Sequence, residues 1–253
     1  MRKIGVVLLS GGLDSTTVAA FAKAAGYELV ALTFDYGQRH RAELKAARKV
    51  ARIMGVRHEV VDLPAMKKLC SYSALTSGHL QVPRGRRLAG PIRDIPPTYV
   101  PLRNTVFLTL GAALLESTIL SLIDHREVEP KGVSASLFIA ANAVDYSGYP
   151  DCRPEYFQAM QRALTQGTKL GCQYGITISV ETPVLHMSKA DIVRLGIKLG
   201  APFEHTWSCY EGGDIPCGSC DSCLLRARGF AGAGIRDPLL ERLQREGKIA
   251  EGQ

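Results

Sequence analysis

The fold of this 253-residue chain is decided by one stretch near its start, Ile4-Gly-Val-Val-Leu-Leu-Ser-Gly-Gly-Leu-Asp-Ser-Thr-Thr17. Residues 4–9 form a continuous apolar run rich in branched side chains, which is typical of a strand buried on both faces of a parallel sheet. Gly11 and Gly12 predict a turn, and residues 16–25 have helical character up to Gly26, which suits a helix stop. The stretch therefore predicts a strand, a glycine turn and a helix.

The same alternation continues downstream. Residues 28–34 and 57–62 have the pattern of further strands, and the helical pattern between them, over about 40–54, ends at Gly55. This β-α-β-α-β beginning predicts a doubly wound parallel α/β sheet with right-handed crossovers. Later we expect a helix over 104–122, an apolar strand-like segment over 133–143, a helix over 154–170, a strand over 176–180 and a helix over 188–199, with Ser188 as N-cap and Asp191 in a capping box. The proline-rich segment 64–101 is irregular, which is typical of a lid or a mobile loop.

Composition favours a globular protein. The 46% apolar content is enough for a sizeable core, and no apolar run approaches the ~20 residues that span a bilayer. The apolar stretch after Lys3 is too short for a signal sequence. We therefore expect a soluble cytoplasmic protein, with an α/β domain over 1–200 and a small C-terminal metal-binding segment over 201–253.

The net charge of +7 favours anionic partners, either nucleotide phosphates or nucleic acid. Charge alone does not choose between the two, and a solvated basic surface explains it equally well. Much of the excess comes from Arg39, His40, Arg41, Arg84, Arg86, Arg87 and Arg93.

The loop Ser10–Ser15 joins the first predicted strand to the first predicted helix. Its glycines let the backbone approach an anion closely, and the free N–H groups at the helix start would hold a pyrophosphate. Ser10 and Ser15 can donate hydroxyl hydrogen bonds, whereas Asp14 is unusual in a phosphate site unless it binds Mg²⁺ or caps the turn. A Gly-Gly turn alone carries no function, and the loop is neither a Gly-Lys-Ser/Thr phosphate loop nor a dinucleotide-binding turn.

Four of the seven cysteines lie close together near the C-terminus, at Cys209, Cys217, Cys220 and Cys223. Four thiolates with Cys-x2-Cys steps are typical of a closed, structural zinc site. An iron–sulfur cluster is the competing interpretation, weakened by the missing Cys-Pro after a three-residue gap. Unligated buried thiols are a third, although the segment is rich in polar and turn residues. The scattered Cys70, Cys152 and Cys172 are expected to be ordinary core or loop residues.

A polar segment over 142–155 follows a strand-like apolar run. A loop beyond a strand end is where specificity groups collect, and tyrosines and aspartates there suit a planar heterocycle with ring N–H groups. A turn-rich surface loop is the alternative.

Taken together, these stretches resemble the 7-cyano-7-deazaguanine synthases, a family within the PP-loop N-type ATP pyrophosphatases. The first stretch, Ser10-Gly-Gly-Leu-Asp-Ser15, marks only the superfamily. Narrower matches are Phe34-Asp-Tyr-Gly-Gln-Arg-His40, Val100-Pro-Leu-Arg-Asn-Thr-Val-Phe-Leu108, Asp145-Tyr-Ser-Gly-Tyr-Pro-Asp-Cys-Arg-Pro-Glu155 and Pro216-Cys-Gly-Ser-Cys-Asp-Ser-Cys223, with Thr182-Pro-Val-Leu-His-Met-Ser-Lys189 as a looser one.

The resemblance implies an adenine nucleotide alpha-hydrolase-like fold and an ATP-dependent carbon–nitrogen ligase. Such an enzyme converts 7-carboxy-7-deazaguanine and ammonia to the nitrile through adenylated intermediates and an amide, in queuosine biosynthesis. It implies ATP, Mg²⁺ and structural Zn²⁺, small-molecule rather than nucleic-acid substrates, no membrane, and a homodimer. The implied catalytic residues are Asp14, Arg103 and Lys189. The implied ATP-binding residues are Leu8, Leu9, Ser10, Gly11, Gly12, Leu13, Asp14, Ser15, Thr16, Thr17 and Val18. The implied substrate-binding residues are Asn142, Asp145, Tyr146, Ser147, Tyr149 and Asp151, and zinc falls to the four clustered cysteines.

Two departures from the family pattern stand out. Residues 117–134 are longer than the usual connection, and Ala140-Ala141 replaces glycine and valine before the polar segment. The tail 231–253 has no recognisable motif. Two other functions remain open at this point: a tRNA-modifying ATP pyrophosphatase, which the basic charge favours, and a non-enzymatic zinc-ribbon protein that binds nucleic acid, which leaves the glycine loop unexplained.

Overall fold

The computed structural model describes residues 1–38, 42–76, 95, 97–142 and 149–250. Within these ranges five strands form one sheet in the order β3-β2-β1-β4-β5, and each neighbouring pair is parallel. The strands are β1 Arg2–Leu8, β2 Glu28–Asp35, β3 Arg57–Asp62, β4 Val133–Phe138 and β5 Ile178–Glu181. The parallel α/β sheet predicted from the sequence is confirmed.

Helices cover both faces of the sheet. They are α1 Leu13–Ala24, α2 Ala42–Met54, α3 Pro64–Leu69, α4 Arg103–Asp124, α5 Pro154–Gln166, α6 Lys169–Tyr174, α7 Lys189–Lys198, α8 Asp221–Ala233 and α9 Pro238–Arg245. Along β1, Ile4, Val6 and Leu8 enter the core beneath α4 and α5, whereas Val7 and the following Leu9 enter the core beneath α1, α2 and α7. This alternation explains the uninterrupted apolar run of residues 4–9, because a strand covered on both faces has no polar side.

The strand order reverses at β1, whose neighbours β2 and β4 lie on opposite sides. In open α/β sheets, ligands bind in the crevice beyond the carboxyl end of the strands at such a switch point. The loop 9–12, between β1 and α1, lies there.

Several predicted boundaries are wrong in detail. The single helix expected over 154–170 is divided into α5 and α6, because Gly167 ends the first and the Thr168 side chain caps the second. The strand expected over 176–180 lies at 178–181. Within the irregular segment 64–101, Pro64 begins a short helix, and residues 77–94 and 96 lie outside the described residues. Ser188 is confirmed as the N-cap of α7, since its Oγ accepts a hydrogen bond from the Asp191 N–H.

The C-terminal helices α8 and α9 were not predicted. They are joined by a buried ion pair in which the Arg226 guanidinium donates to both carboxylate oxygens of Asp237, at 2.6 and 2.8 Å. Arg226 also donates to the Thr206 hydroxyl at 2.8 Å. Asp237 caps α9 by accepting from the Leu239 N–H. Arg226 therefore links α8, the start of α9 and residue 206. The predicted domain boundary between residues 200 and 201 stays a prediction.

Helix α4 corrects one expectation from composition. Among the described residues, α4 is one helix whose length and composition would allow it to cross a membrane. An 18-residue window of it has a mean hydropathy of 2.0. In the structure α4 packs on the sheet, where Gly111 brings its backbone close to the side chains of Leu8 and Leu137. The apolar side chains on the face of α4 that contains Gly111 therefore cover β1 and β4.

Candidate active site

A cavity of about 350 Å³ opens at the carboxyl ends of the strands. The loop after β1 and the first turns of α4 and α8 line it. The polar and charged side chains that line it include Ser10, Asp14, Ser15, Tyr36, Gln38, Glu43, Arg103, Asn104, Asn142, Tyr149, Lys189, Asp221 and Arg226. Residues distant in sequence thus meet at the switch point of the sheet.

The loop between β1 and α1 is held in shape by its own hydroxyl groups. The Ser10 N–H donates to the Ser15 Oγ at 3.2 Å, the two serine hydroxyls lie 3.0 Å apart, and the Ser15 hydroxyl donates to the Gly12 carbonyl at 3.1 Å. Gly12 is the N-cap of α1, and no side chain within the described part of the chain caps this helix. The positive end of α1 therefore faces the cavity, which suits an anion.

Asp14 lies in the first turn of α1 and forms an ion pair with Lys189. The Lys189 Nζ lies 2.9 and 2.7 Å from the two Asp14 carboxylate oxygens, and both side chains are largely buried. Lys189 begins α7, directly after the Ser188 cap, and its stem passes over Gly229 of α8. A Cβ at position 229 would lie 2.5 Å from the Lys189 Cγ. The sequence alone did not show that Asp14 and Lys189 pair, or that Gly229 makes room for the pair.

We expect Gly229→Ala to displace Lys189 and to lower kcat/KM by about tenfold, because an ångström-scale misplacement costs up to about 10²-fold. Gly232→Ala on the same helix is the matched control, since its Cβ would meet only the Ala190 Cβ at 3.2 Å. Steady-state kinetics of both variants would check this. Equal activity of the two would contradict the role assigned to Gly229.

Arg103, at the start of α4, lines the same cavity. Burial works against its charge, yet the pKa of its guanidinium lies above the usual value because Tyr36, Tyr149 and Asp151 face it. Tyr36, which hydrogen-bonds Arg103, is aimed by the turn after β2, where the Gln38 side chain accepts from the Tyr36 N–H and donates to the Phe34 carbonyl. Arg103 is therefore a fixed positive charge at neutral pH.

The segment expected to bind the heterocycle is described only at its ends. Asp145, Tyr146 and Ser147 lie outside the described residues. Tyr149 lines the cavity, and its hydroxyl lies 2.7 Å from the Thr98 hydroxyl. The Asn142 side-chain amide also lines the cavity and donates to the Val184 and Met187 carbonyls at 3.1 and 2.7 Å. This amide fixes the turn that leads into Lys189.

Asp151 is not among the described residues that line the cavity, unlike Asn142 and Tyr149. It is 4% exposed, and its carboxylate accepts a hydrogen bond from the Asn104 N–H at the start of α4. Burial raises the pKa of Asp151, while the Asn104 N–H and the Arg103 charge oppose the rise. Through this hydrogen bond Asp151 holds the first turn of α4, which carries Arg103. Its direct contact with substrate stays a prediction.

Cys152 lines the cavity beside this aspartate, and its Sγ accepts from the Asn104 side-chain amide at 3.4 Å. Burial and the nearby Asp151 raise the pKa of the thiol to about 11. Cys152 is therefore a neutral thiol at physiological pH, which is inert as a nucleophile.

The expected nucleotide-binding residues divide into two groups. Leu8, Leu9, Ser10, Gly12, Leu13, Asp14 and Ser15 line the cavity. Gly11 turns away from it and packs on α2, while Thr16, Thr17 and Val18 are buried inside the first turns of α1. Contact of every one of these residues with ATP remains a prediction. The sequence did not single out three residues that line the cavity, Tyr36, Glu43 and Trp207. Tyr36 lies in a motif quoted above, but a lone glutamate or tryptophan forms no pattern that a sequence could reveal.

The four clustered cysteines come together as the spacing predicted. The sulfurs of Cys209, Cys217, Cys220 and Cys223 all lie within 4.8 Å of one another. A set of four sulfurs at this spacing fits a tetrahedral metal ion.

The cysteine cluster is connected to the cavity through Trp207. The backbone N–H of Trp207 donates to the Gly11 carbonyl at 2.9 Å, and its indole N–H donates to the Cys209 carbonyl at 3.2 Å. Cys220 is the N-cap of α8, whose first residues Asp221 and Ser222 line the cavity. The cluster therefore anchors one wall of the cavity and the glycine loop.

Comparison with known proteins agrees with this arrangement. Residues 4–234 match the family described as "Queuosine biosynthesis protein QueC". The 7-cyano-7-deazaguanine synthase of Thermoplasma acidophilum is 51% identical over 94% of this chain and 92% of its own length. That of Thermosynechococcus vestitus is 49% identical over 92% of this chain and 94% of its own length. Among solved structures, NMN synthetase from Francisella tularensis superposes with a TM-score of 0.38 at 15% identity, over 99% of this chain and 79% of that one, which is too distant to bear on function. From its match over nearly the whole length, this chain belongs to the QueC family of queuosine biosynthesis proteins.

Proposed function

We propose that this chain is an ATP-dependent 7-cyano-7-deazaguanine synthase, which makes the nitrile from 7-carboxy-7-deazaguanine and ammonia by way of adenylated intermediates and an amide. The relatives named above are called 7-cyano-7-deazaguanine synthases, which supports the product assigned here. The observation that carries the proposal is the meeting, in one cavity, of the uncapped start of α1 with Lys189 and Arg103.

These residues suit the activation of a carboxylate. A carboxylate resists ammonia until one of its oxygens becomes part of a leaving group, and adenylation supplies that leaving group. The start of α1 would hold the phosphates of ATP, and Arg103 and Lys189 would offset the charge that develops when pyrophosphate departs. Asp14, which is paired with Lys189 in the structure, would hold Mg²⁺ beside the phosphates when ATP binds.

The four cysteines are proposed to hold one structural zinc ion. All four positions of a tetrahedral ion would be filled by protein sulfur, so no open position would remain for catalysis. Each of the seven cysteines lies in the described part of the chain and none forms a disulfide, which fits a reducing compartment and supports a cytoplasmic location.

We also propose that the chain acts as a homodimer on small molecules rather than on nucleic acid. Only 28% of the apolar window of α4 is buried within this chain. The outward face of the helix carries the small residues Thr109, Ala113, Ser117 and Ser121, which would allow a second α4 to approach closely.

Product analysis tests the function directly. Purified protein with ATP, an ammonium salt and 7-carboxy-7-deazaguanine is expected to yield the nitrile, with AMP and pyrophosphate, as followed by liquid chromatography and mass spectrometry. Lys189→Ala should lower product formation by about 10²-fold or more, because it removes a positioned charge. Formation of AMP without nitrile, or turnover that requires tRNA, would contradict the proposal.

A further inference from the structure

Glu43 is a carboxylate inside the cavity that the activation step does not use. It lies in the first turn of α2, and its side chain lines the cavity together with those of Tyr36 and Arg103. The backbone carbonyl oxygen of Glu43 lies 2.5 Å from where a Cβ of Gly11 would be, so α2 packs directly on the glycine loop. Glu43 is thus packed through its backbone on the loop that would hold the phosphates, and its side chain shares the cavity with Arg103.

The surroundings of Glu43 bring the pKa of its carboxyl near neutral pH. Burial raises the pKa of Glu43 to about 8, and the charge of Arg103 opposes the rise. Among the described residues, the Tyr36 hydroxyl, from the turn after β2, also faces Glu43, and Asp14 and Lys189 line the same cavity. Within the described part of the chain, no ion pair or hydrogen bond involving the Glu43 carboxylate is found. Carboxyl groups that line a cavity and have a raised pKa cluster at functional sites, and Glu43, which is half-buried, is one of them.

We propose that the Glu43 carboxylate is the catalytic base that takes the proton from nitrogen when the adenylated amide collapses to the nitrile. This assignment rests on the proposed function. In that step the N–H bond breaks and its proton passes to Glu43, the nitrogen electron pair forms the third carbon–nitrogen bond, and the carbon–oxygen bond breaks so that AMP leaves with its electrons. The step is a dehydration and requires no oxidant or reductant. The same carboxylate can accept the proton released when ammonia forms the amide.

The test uses the full-length protein with the amide, 7-amido-7-deazaguanine, as substrate. No ammonia is needed for this half of the reaction, so the ionisation of ammonium does not enter. Glu43→Gln should lower nitrile formation by about 10²-fold or more while the first turnover still releases pyrophosphate, because a general base contributes about 10²- to 10⁴-fold. The wild-type rate should rise with pH up to about 8 and then level off. In Glu43→Gln this rise should be absent.

Glu241→Gln, on the exposed face of α9, is the matched control and should keep the wild-type rate and pH profile. Loss of pyrophosphate release in Glu43→Gln would overturn the assignment, since Glu43 would then act in binding or activation. A nitrile rate within threefold of wild type, or an unchanged pH profile, would overturn it as well. If the wild-type protein releases no pyrophosphate with the amide, the proposed function fails, which is a distinct result.

A stability measurement gives a second readout. Because the pKa of Glu43 is raised in the folded protein from 4.5 to about 8, folding favours the protonated carboxyl, and the wild type loses stability relative to Glu43→Gln as the pH rises through this window. The melting temperature of Glu43→Gln minus that of wild type should therefore increase between pH 5 and pH 9. A constant difference would show that the carboxylate does not occupy the buried place described.

Discussion

Replacing Gly11 by alanine is expected to lower ATP-dependent turnover by about 10²-fold or more and to destabilise the protein. Gly11 has a φ of +82°, a conformation in which a side chain costs about 1–3 kcal/mol. A Cβ there would also lie 2.5 Å from both the Ala47 nitrogen and the Glu43 carbonyl oxygen. Since these are backbone atoms of α2, the glycine loop itself must move. Turnover and the melting temperature would be measured on the same preparation.

Gly26→Ala separates the two causes of this loss. Gly26 ends the turn after α1 with a φ of +81°, but no atom lies within 4 Å of its added Cβ. The control therefore carries the same backbone strain without the contact and lies outside the cavity. It should lose about 1–2 kcal/mol of stability and keep its activity. If Gly11→Ala lost no more activity than Gly26→Ala, the packing of the loop on α2 would not matter for ATP use.

The first half of the fold could be predicted because its cause is local. β1 and β2 each contain a short apolar run, and Gly26 and Gly55 follow α1 and α2 with positive φ angles. The same logic failed over 154–170, where the helical pattern runs across Gly167 and only the Thr168 cap shows that a second helix begins. It also failed for α8 and α9, because their stability depends on the ion pair between Arg226 and Asp237, which no periodicity reveals.

The site was predictable where a motif carries its own geometry and not where partners come from distant elements. The glycine loop and the cysteine spacing each lie within one short segment, and the structure places them as expected. The pairing of Asp14 with Lys189 joins residues 175 positions apart. Glu43 was missed for the same reason, because a glutamate at the start of a helix is ordinary until Arg103 and the cavity are seen around it. Which charged side chains become neighbours across such distances in sequence is known only once the chain is folded.

Replacing Cys220 by alanine is expected to prevent zinc from binding at the proposed four-cysteine site and to inactivate the enzyme. Cys220 is fully buried, and as the N-cap of α8 it fixes the residues that form one wall of the cavity. A structural zinc site contributes about 10–16 kcal/mol of apparent binding energy at neutral pH. Losing even about 3 kcal/mol of this would lower the melting temperature of a domain of this size by about 10 °C. Metal analysis of the purified wild type should find one zinc ion per chain, and the variant should contain almost none.

Cys172→Ala is the matched control, because Cys172 is exposed on α6 and lies outside the cluster. It should keep its zinc, its melting temperature and its turnover. Trp207, the single tryptophan, hydrogen-bonds both the Gly11 and Cys209 backbones, so its fluorescence should change in Cys220→Ala and in the wild type treated with a chelator. Iron in place of zinc would identify the competing iron–sulfur cluster. An active, metal-free Cys220→Ala protein would show that the first turn of α8 keeps its place in the cavity without the metal. It would also show that the hydrogen bonds of Trp207 do not couple the metal to the glycine loop.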